Sequence, residues 1–382
     1  MKPSPAIRFG NLMRAQYFLY FGVLGVFLPY FNLYLHQLDF SGTEIGIISA
    51  LRSLCLVLFS VLWSLAADRY EARRFFYRLC LFAAAAIWPL YLGVDDFAGM
   101  AAVTLLYGIF FSPIISFMEA FTLDGLGAAK GTYGRIRLWG TVAFILSVTS
   151  LGPVIDRTGI RIILWLIFAG GLVQAVSALA LPRVRVDRDS PFAGGTRFLR
   201  KPETLGYLGA AFLMLVSHGT FYGFFSIHLE GLGFAGTLIG ATWALAPLSE
   251  ILVMVYSDRI FQRFSVANVL RFAFGIAALR WLVLSLWTNP AVVLASQMFH
   301  AATYGAFHIA GLLYMDRMAP DRSKTLAQSV NSALTYGLGM MAGLFLNGFL
   351  YERIGPFALF AFSSATAAAG GLLLHFTAKK AG

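Results

Sequence analysis

Long apolar stretches recur along the chain and set the strongest limit on its fold. A helix that crosses the hydrocarbon core of a bilayer needs about 20 predominantly apolar residues. We predict twelve such helices, joined by short connections that carry charged residues, Gly or Pro. The spans lie at residues 14–36, 43–67, 75–93, 97–123, 135–154, 160–181, 205–229, 237–257, 266–288, 291–315, 326–350 and 356–377.

The scarcity of charged residues excludes other classes of protein. Apolar residues make up 59% of the chain and charged residues only 12%, whereas a soluble globular protein carries about 25% charged residues. Intrinsic disorder needs low hydrophobicity and high charge, so it is excluded as well. Strands of a membrane β-barrel would be half as long and would alternate in polarity. We therefore expect an all-α polytopic membrane protein.

Basic residues fall mostly on one side of the predicted spans, whereas Arg157, Arg161 and Arg353 lie on the other. Loops rich in Lys and Arg stay in the cytoplasm. We therefore expect both termini and the basic linker 183–204 to be cytoplasmic, in a bacterial inner membrane. The net charge of +11 then reflects orientation in the membrane, and we expect no nucleic-acid partner.

The two halves of the chain repeat each other. Residues 33–46 match residues 227–240 at a constant offset of 194, with seven of fourteen positions identical. The tetrapeptide at 156–159 (DRTG) is echoed by the one at 352–355 (ERIG). Parallel repeats of this kind occur in secondary transporters, which bind their solute between the two halves. We predict an N-terminal six-helix bundle at 1–182, the linker at 183–204 and a C-terminal six-helix bundle at 205–382.

The loops after the second and eighth spans carry the same dipeptide. Asp68-Arg69 is matched by Asp258-Arg259, and the first pair lies in SLAADRYEARR at 64–74. This segment resembles the Gly-x-x-x-Asp-Arg-x-Gly-Arg-Arg signature of the major facilitator superfamily. The resemblance implies the major facilitator fold and a gating role for all four loop residues.

The likeness to the superfamily signature is incomplete, because Ser64 and Glu71-Ala72 replace its glycines. Within the superfamily, three further segments resemble the phenylpropionate permease group and, more distantly, lactose permease. They are YGRIRLWGTVAF (133–144), SHGTFYGFFSIHLE (217–230) and HAATYGAFHIA (300–310).

Ionisable side chains inside apolar spans are costly and mark functional sites or helix-pairing contacts. Glu119 in the fourth span and Arg137 in the fifth are one such set, and lactose permease holds its sugar with the same residue types in these helices. The resemblance therefore implies a substrate-binding or proton-coupled pair; a helix-to-helix clamp is the alternative. Arg52 in the second span is a third candidate for binding, with Glu250 or an anionic substrate as partner. Arg135 is equally well explained as an interfacial residue.

Glu250, Arg280 and His300, in the eighth, ninth and tenth spans, form a second set. Their resemblance to lactose permease implies proton coupling and contact with the solute. Thr303 stands where that protein has its proton-carrying glutamate, and threonine cannot titrate. We therefore expect Glu250 or Glu119 to carry the proton, with His300 as the runner-up because imidazole titrates near physiological pH.

Two further groups are candidates for a substrate cavity. His218 and Tyr222 are four residues apart and share one face of the seventh span, although core packing explains them equally well. His308 lies two turns beyond His300 on roughly the same face.

Several sequence motifs are absent. The chain has no P-loop, so no ATP drive is indicated, and it has no hydrolase motif, so we expect no enzyme. Its two cysteines form no CxxC pair, and we expect no metal and no cofactor.

These observations predict a secondary active transporter that moves a small organic solute by alternating access, as a proton symporter and a monomer surrounded by lipid. An aromatic carboxylate is the favoured solute, because Arg52, Arg137 and Arg280 outnumber the two acids inside the spans. A sugar or nucleoside is the alternative solute. A non-transporting receptor or scaffold on the same fold is the rival class.

Overall fold

The computed structural model describes residues 5–126, 133–182, 196–320 and 323–378. Every regular element within these ranges is helical, and ten of their helices are long and apolar enough to cross a membrane. The expected all-α class is therefore confirmed. Residues 183–195 of the predicted linker lie outside the described ranges, and so do some of the basic residues used to predict orientation.

Seven α-helices form from the described residues of the first half of the chain. The third and sixth predicted spans each end in a short 3₁₀-helix, at Trp88–Leu92 and Ala178–Ala180. The fourth span is divided into α4 and α5, because Pro113 lacks the N–H group that a continuous helix needs. The helices are α1 (Pro5–Gln37), α2 (Gly42–Arg69), α3 (Arg73–Ile87), α4 (Phe97–Phe111), α5 (Ile114–Leu126), α6 (Tyr133–Thr158) and α7 (Ile162–Ser177).

The second half departs further from the predicted spans. A π-helix at Ala301–Ala306 interrupts the predicted tenth span. The predicted eleventh and twelfth spans meet at Gly355, where the backbone is non-helical (φ 75°) and two helices join at a kink. This break falls at the predicted boundary, and the count of twelve spans stays a prediction. The α-helices are α8 (Pro202–Gly231), α9 (Gly236–Arg263), α10 (Val266–Leu286), α11 (Pro290–Gln297), α12 (Phe307–Met318), α13 (Lys324–Ser332) and α14 (Met340–Ala378).

The described residues form two compact units. Unit 1 contains the residues before Ser41, those from Leu51 to the linker, and Phe234–Gly240. Unit 2 contains Ser41–Ala50 and the remaining described residues of the second half. Helix α2 therefore begins in unit 2 and continues in unit 1, whereas α9 begins in unit 1 and continues in unit 2.

One helix is central to each unit. In unit 1, α1 packs against α6 and α7, and its Met13, Tyr17, Tyr30 and Phe31 side chains are fully buried. In unit 2, α8 makes its main contact with α14 and is the most buried of the candidate spans. Both central helices also carry polar side chains into the interior.

The repeated tetrapeptides supply the caps for α9 and α2. In unit 1, the Asp156 carboxylate accepts hydrogen bonds from the backbone N–H groups of Gly236 (2.7 Å) and Thr237 (3.0 Å). In unit 2, Glu352 Oε1 accepts one from the N–H group of Gly42 at 2.8 Å. The first N–H groups of a helix lack intrahelical partners, and negative charge is favourable beside them. The sequence repeat at 156–159 and 352–355 is therefore a repeat of structure.

We expect Gly240→Ala to destabilise the protein. A Cβ atom at Gly240 would lie 2.1 Å from the backbone oxygen of Val148, and overpacking of this kind costs about 1–3 kcal/mol. Gly275 in α10 has no atom within 4 Å of the same position. The control Gly275→Ala should be neutral or stabilising by up to about 1 kcal/mol, because alanine favours the helix.

Thermal unfolding of the purified protein in detergent measures the difference. Equal unfolding temperatures for the two variants would contradict the close helix contact at Gly240.

Candidate functional site

A fully buried guanidinium lies at the centre of unit 2. Arg280 of α10 is 0% exposed, and its Nη2 donates to Gln297 Oε1 at 2.7 Å. Its Nη1 lies 2.7 Å from His300 Nδ1 and 3.3 Å from Thr303 Oγ1. These three acceptors share the hydrogen atoms of its two terminal nitrogens.

His300 connects this guanidinium to a carboxylate. His300 Nε2 lies 3.0 Å from Glu250 Oε1, and the two side chains are 4% and 16% exposed. Arginine can only donate hydrogen bonds, so His300 Nδ1 accepts from Arg280 and His300 Nε2 carries the hydrogen. The result is a directed chain from Arg280 through His300 to Glu250. We call Glu250, Arg280, Gln297, His300 and Thr303 the buried cluster.

Aromatic rings enclose the buried cluster. The Arg280 guanidinium lies 4.6 Å from the ring centre of Phe221 and 4.7 Å from that of Trp281, so it gains cation–π attraction in a desolvated site. Tyr304 stacks on His300, with ring centres 5.2 Å apart and an angle of 11°. Tyr304 belongs to the π-helix Ala301–Ala306, and π-helical segments occur frequently at functional sites.

Two other histidines of unit 2 make polar contacts of their own. His218 Nδ1 lies 2.8 Å from the Met214 carbonyl oxygen, and His218 Nε2 finds no hydrogen-bond partner among the described residues. The Tyr222 ring lies 6.4 Å from the His218 ring. His308 Nδ1 lies 2.7 Å from the hydroxyl oxygen of Tyr336. Of these two histidines, only His218 has its ring near a histidine of the buried cluster, with its ring centre 6.2 Å from that of His300.

Unit 1 holds a more open pair. Arg137 Nε lies 3.8 Å from Glu119 Oε1, and the two side chains are 41% and 40% exposed. Tyr133 donates a hydrogen bond to Glu119 Oε1 at 3.3 Å, and Tyr17 donates to the Tyr133 hydroxyl at 3.4 Å. The Arg137 guanidinium also lies 5.6 Å from the ring centre of Phe21. The open pair therefore places a carboxylate and a guanidinium beside the Tyr133 hydroxyl group.

Arg52 has aromatic surroundings in unit 1. Its guanidinium lies 4.6 Å from the ring centre of Phe27 and 5.7 Å from that of Phe31. Glu250, one of the two partners that the sequence suggested for Arg52, contacts His300 in unit 2, and its pairing with Arg52 stays a prediction. Arg135, the candidate interfacial residue, is exposed.

The proposed gating residues lie at helix ends. Arg73 Nη2 donates to Asp68 Oδ1 at 3.0 Å, and Arg73 also pairs with Asp124. The signature loop is therefore tied to α5 within unit 1. The other gating candidates, Arg69, Asp258 and Arg259, are exposed.

Sequence reasoning missed Gln297 and Trp281 as members of this site. A signal for Gln297 was present, since it lies three residues before His300 in an apolar span, and positions three apart share a helix face. Among the described residues, no group of three His, Cys, Asp or Glu side chains is placed to hold a metal ion.

Three comparisons bear on this arrangement. The sequence profile of the MFS_1 like family matches residues 11–362. The chain is 25% identical over 348 residues to the probable 3-phenylpropionic acid transporter of Escherichia coli K12, covering 89% of this chain and 90% of that protein. It is 27% identical over 374 residues to the maltose permease of Geobacillus stearothermophilus, covering 95% and 93%.

Among solved structures, the fold is similar to that of the nucleoside transporter NupG. The TM-score is 0.87 at 17% identity, with 97% of this chain and 99% of that chain covered. At this identity, the match concerns the fold alone.

We expect Arg280→Met to destabilise the protein much more than Arg137→Met. Loss of Arg280 leaves the buried acceptors of Gln297 and His300 without a donor, and each unsatisfied buried group costs about 1–3 kcal/mol. Arg137 belongs to a half-exposed pair, whose loss costs about 0–1 kcal/mol. Thermal unfolding of both purified variants measures the contrast. Equal losses of stability would show that Arg280 is not held as described.

Proposed function

We propose a proton-coupled import function, from the premise that this chain belongs to the MFS_1 like family and so shares the fold of the major facilitator superfamily. The chain is a multi-pass membrane transporter for a small molecule, and not an enzyme. The proposal adds the coupling ion, the class of solute and the mechanism. It places the protein in the bacterial inner membrane as a monomer, with cytoplasmic termini and transport by alternating access.

The observation that carries the proton coupling is the Arg280–His300–Glu250 chain. Glu250 is a mostly buried carboxylate that lies 3.0 Å from the Nε2 atom of His300. Burial favours the neutral form of a carboxyl group, whereas a nearby positive charge favours the ionised form. Because these two effects oppose each other at Glu250, a small change in geometry is enough for its carboxyl group to bind or release a proton. Ionisable residues within membrane spans mark such proton relays in pumps and transporters.

The open pair of unit 1 supports a neutral solute that bears hydroxyl groups. A hydroxyl group can both donate to Glu119 and accept from Arg137, whose side chains are 40% and 41% exposed. An aromatic carboxylate, which the count of arginines favoured, would meet Glu119 as a like charge. Arg280 is fully buried and already bonded to acceptors of its own unit. The geometry therefore moves our preference to the sugar or nucleoside class.

His218 supports the same class of solute. Its Nδ1 is bonded to the Met214 carbonyl oxygen at 2.8 Å, and a carbonyl can only accept, so Nδ1 carries the hydrogen and Nε2 is a bare acceptor. His218 is fully buried, so a solute hydroxyl or N–H group would satisfy this nitrogen only after the packing around it opens during alternating access. A carboxylate would not satisfy it. The name of one similar protein, a maltose permease, points to a solute with hydroxyl groups. The name of the 3-phenylpropionic acid transporter points to the carboxylate.

Uptake by cells that produce the protein tests this proposal. The solutes are radiolabelled uridine, maltose and 3-phenylpropionate, each with and without an uncoupler. We expect accumulation of uridine or maltose that collapses with the uncoupler. Glu119→Gln and Arg137→Ala should each lower the rate at least about tenfold, the effect of losing about 1.4 kcal/mol of stabilisation, while membrane insertion is unchanged.

Arg161 and Asp95 supply the matched control, because they form an ion pair of unit 1 whose side chains are 66% and 65% exposed. Arg161→Ala and Asp95→Asn should retain wild-type uptake. Accumulation of 3-phenylpropionate alone would contradict the neutral solute. Unchanged uptake of all three solutes relative to cells without the protein would contradict the transport proposal and favour a receptor or scaffold.

A further inference from the structure

The side-chain amide of Gln297, which contacts Arg280, has a fixed orientation. The residue is 0% exposed, and its Nε2 donates to the Val293 carbonyl oxygen at 3.1 Å and to Ser296 Oγ at 3.0 Å. These acceptors hold the NH₂ end of the amide. The oxygen end therefore faces Arg280, where Oε1 accepts from Nη2 at 2.7 Å.

This contact helps to determine where Arg280 directs its other amino group. With Nη2 held by Gln297 and the guanidinium plane enclosed by Phe221 and Trp281, Nη1 lies 2.7 Å from His300 Nδ1. An arginine always donates, so a hydrogen on Nδ1 would oppose the guanidinium hydrogen. His300 is therefore restricted to the tautomer with its hydrogen on Nε2, directed at Glu250.

We propose that Gln297 is a positioning residue that keeps the hydrogen of His300 on Nε2 and thereby assigns the transported proton of the buried cluster to Glu250. This inference rests on the proposed proton coupling. A second proton can bind His300 only at Nδ1, which Arg280 occupies. The Glu250 carboxylate accepts a proton by forming one O–H bond while His300 keeps its own hydrogen. The net charge of the buried cluster then changes from zero to +1.

Other titratable groups face these two residues. His218 and Tyr304 are ring neighbours of His300, and Tyr222 and Tyr336 interact electrostatically with Glu250. None of them replaces the guanidinium at His300 Nδ1. The neutral amide at Gln297 is also significant, because a carboxylate there would pair with Arg280 and add a second proton acceptor.

Nitrogen NMR of the purified protein, labelled with [¹⁵N]histidine and reconstituted in lipid, tests this inference without any solute. Protonated and unprotonated ring nitrogens have well-separated resonances, and a His300→Asn variant assigns the His300 signals. We expect wild-type His300 at neutral pH to have an unprotonated Nδ1 and a protonated Nε2. A hydrogen on Nδ1 in the wild type, in either the neutral or the cationic form, would overturn the proposal.

Substitutions of Gln297 separate positioning from packing. In Gln297→Leu, Arg280 loses its acceptor, and we expect the single tautomer of His300 to be lost. Gln297→Glu keeps an acceptor oxygen and should keep the wild-type tautomer. Gln174→Leu is the control, because Gln174 is a buried glutamine of α7 in unit 1, and it should leave the His300 signals unchanged. Wild-type His300 signals in Gln297→Leu would show that Gln297 is not needed.

His218 gives an internal reference in the same spectra. The Met214 carbonyl oxygen fixes its hydrogen on Nδ1, so His218 should show the opposite tautomer to His300 in every folded variant. Loss of the His218 signature together with that of His300 would indicate general disruption and overturn a specific role for Gln297. Absence of proton-coupled uptake in the wild type would contradict the proposed function and not the tautomer, so the two failures are distinguishable.

Discussion

The burial of the Arg280 guanidinium is the constraint on which the rest of unit 2 depends. A charge removed from water is tolerated only where hydrogen bonds and an opposite charge compensate for lost hydration. Three acceptors and two aromatic faces surround Arg280, and Glu250 supplies the opposite charge one residue away, through His300. Because the compensation is indirect, Glu250 can lose its charge without breaking a direct contact to Arg280.

The backbone around the buried cluster departs from a regular α-helix. The π-helix Ala301–Ala306 lies between His300 and α12. Within it, a Cβ atom at Gly305 would lie 3.3 Å from Glu250 Cγ, so a residue without a side chain allows α9 to approach. Thr303, which cannot carry a proton, instead accepts a hydrogen bond from Arg280 at 3.3 Å.

The charged side chains of the two units differ in burial. In unit 1, Glu119 and Arg137 are about 40% exposed. Breaking their ion pair to bind hydroxyl groups of a solute costs little free energy. In unit 2, Arg280 and His300 are buried and already bonded. We therefore assign solute recognition to the open pair and proton binding to Glu250.

Much of the fold was predictable, because lipid demands long apolar helices and the few charges inside them stand out. Hydropathy does not report backbone geometry, so the π-helix Ala301–Ala306 was not predicted. Hydropathy also does not show in which unit a short segment packs. Residues 41–50 pack in unit 2 and residues 234–240 in unit 1, whereas the predicted boundaries follow the order of the chain.

The candidate site was predictable in its residues but not in its connections. Glu250, Arg280 and His300 were identified from charge alone, whereas their order of hydrogen bonds depends on Gln297, an uncharged residue in an apolar span. The surroundings of Arg52 illustrate the same limit. The rings of Phe27 and Phe31 that lie close to its guanidinium were not predicted from its sequence position.

The most direct test of this account measures proton movement itself. Liposomes that contain the purified protein are suspended in weak buffer, and uridine or maltose is added outside while the external pH is recorded. For the wild type we predict a rise in external pH as protons enter with the solute. For Glu250→Gln we predict entry of the solute down its gradient with no change in pH. Proton movement by Glu250→Gln at the wild-type rate would contradict the account.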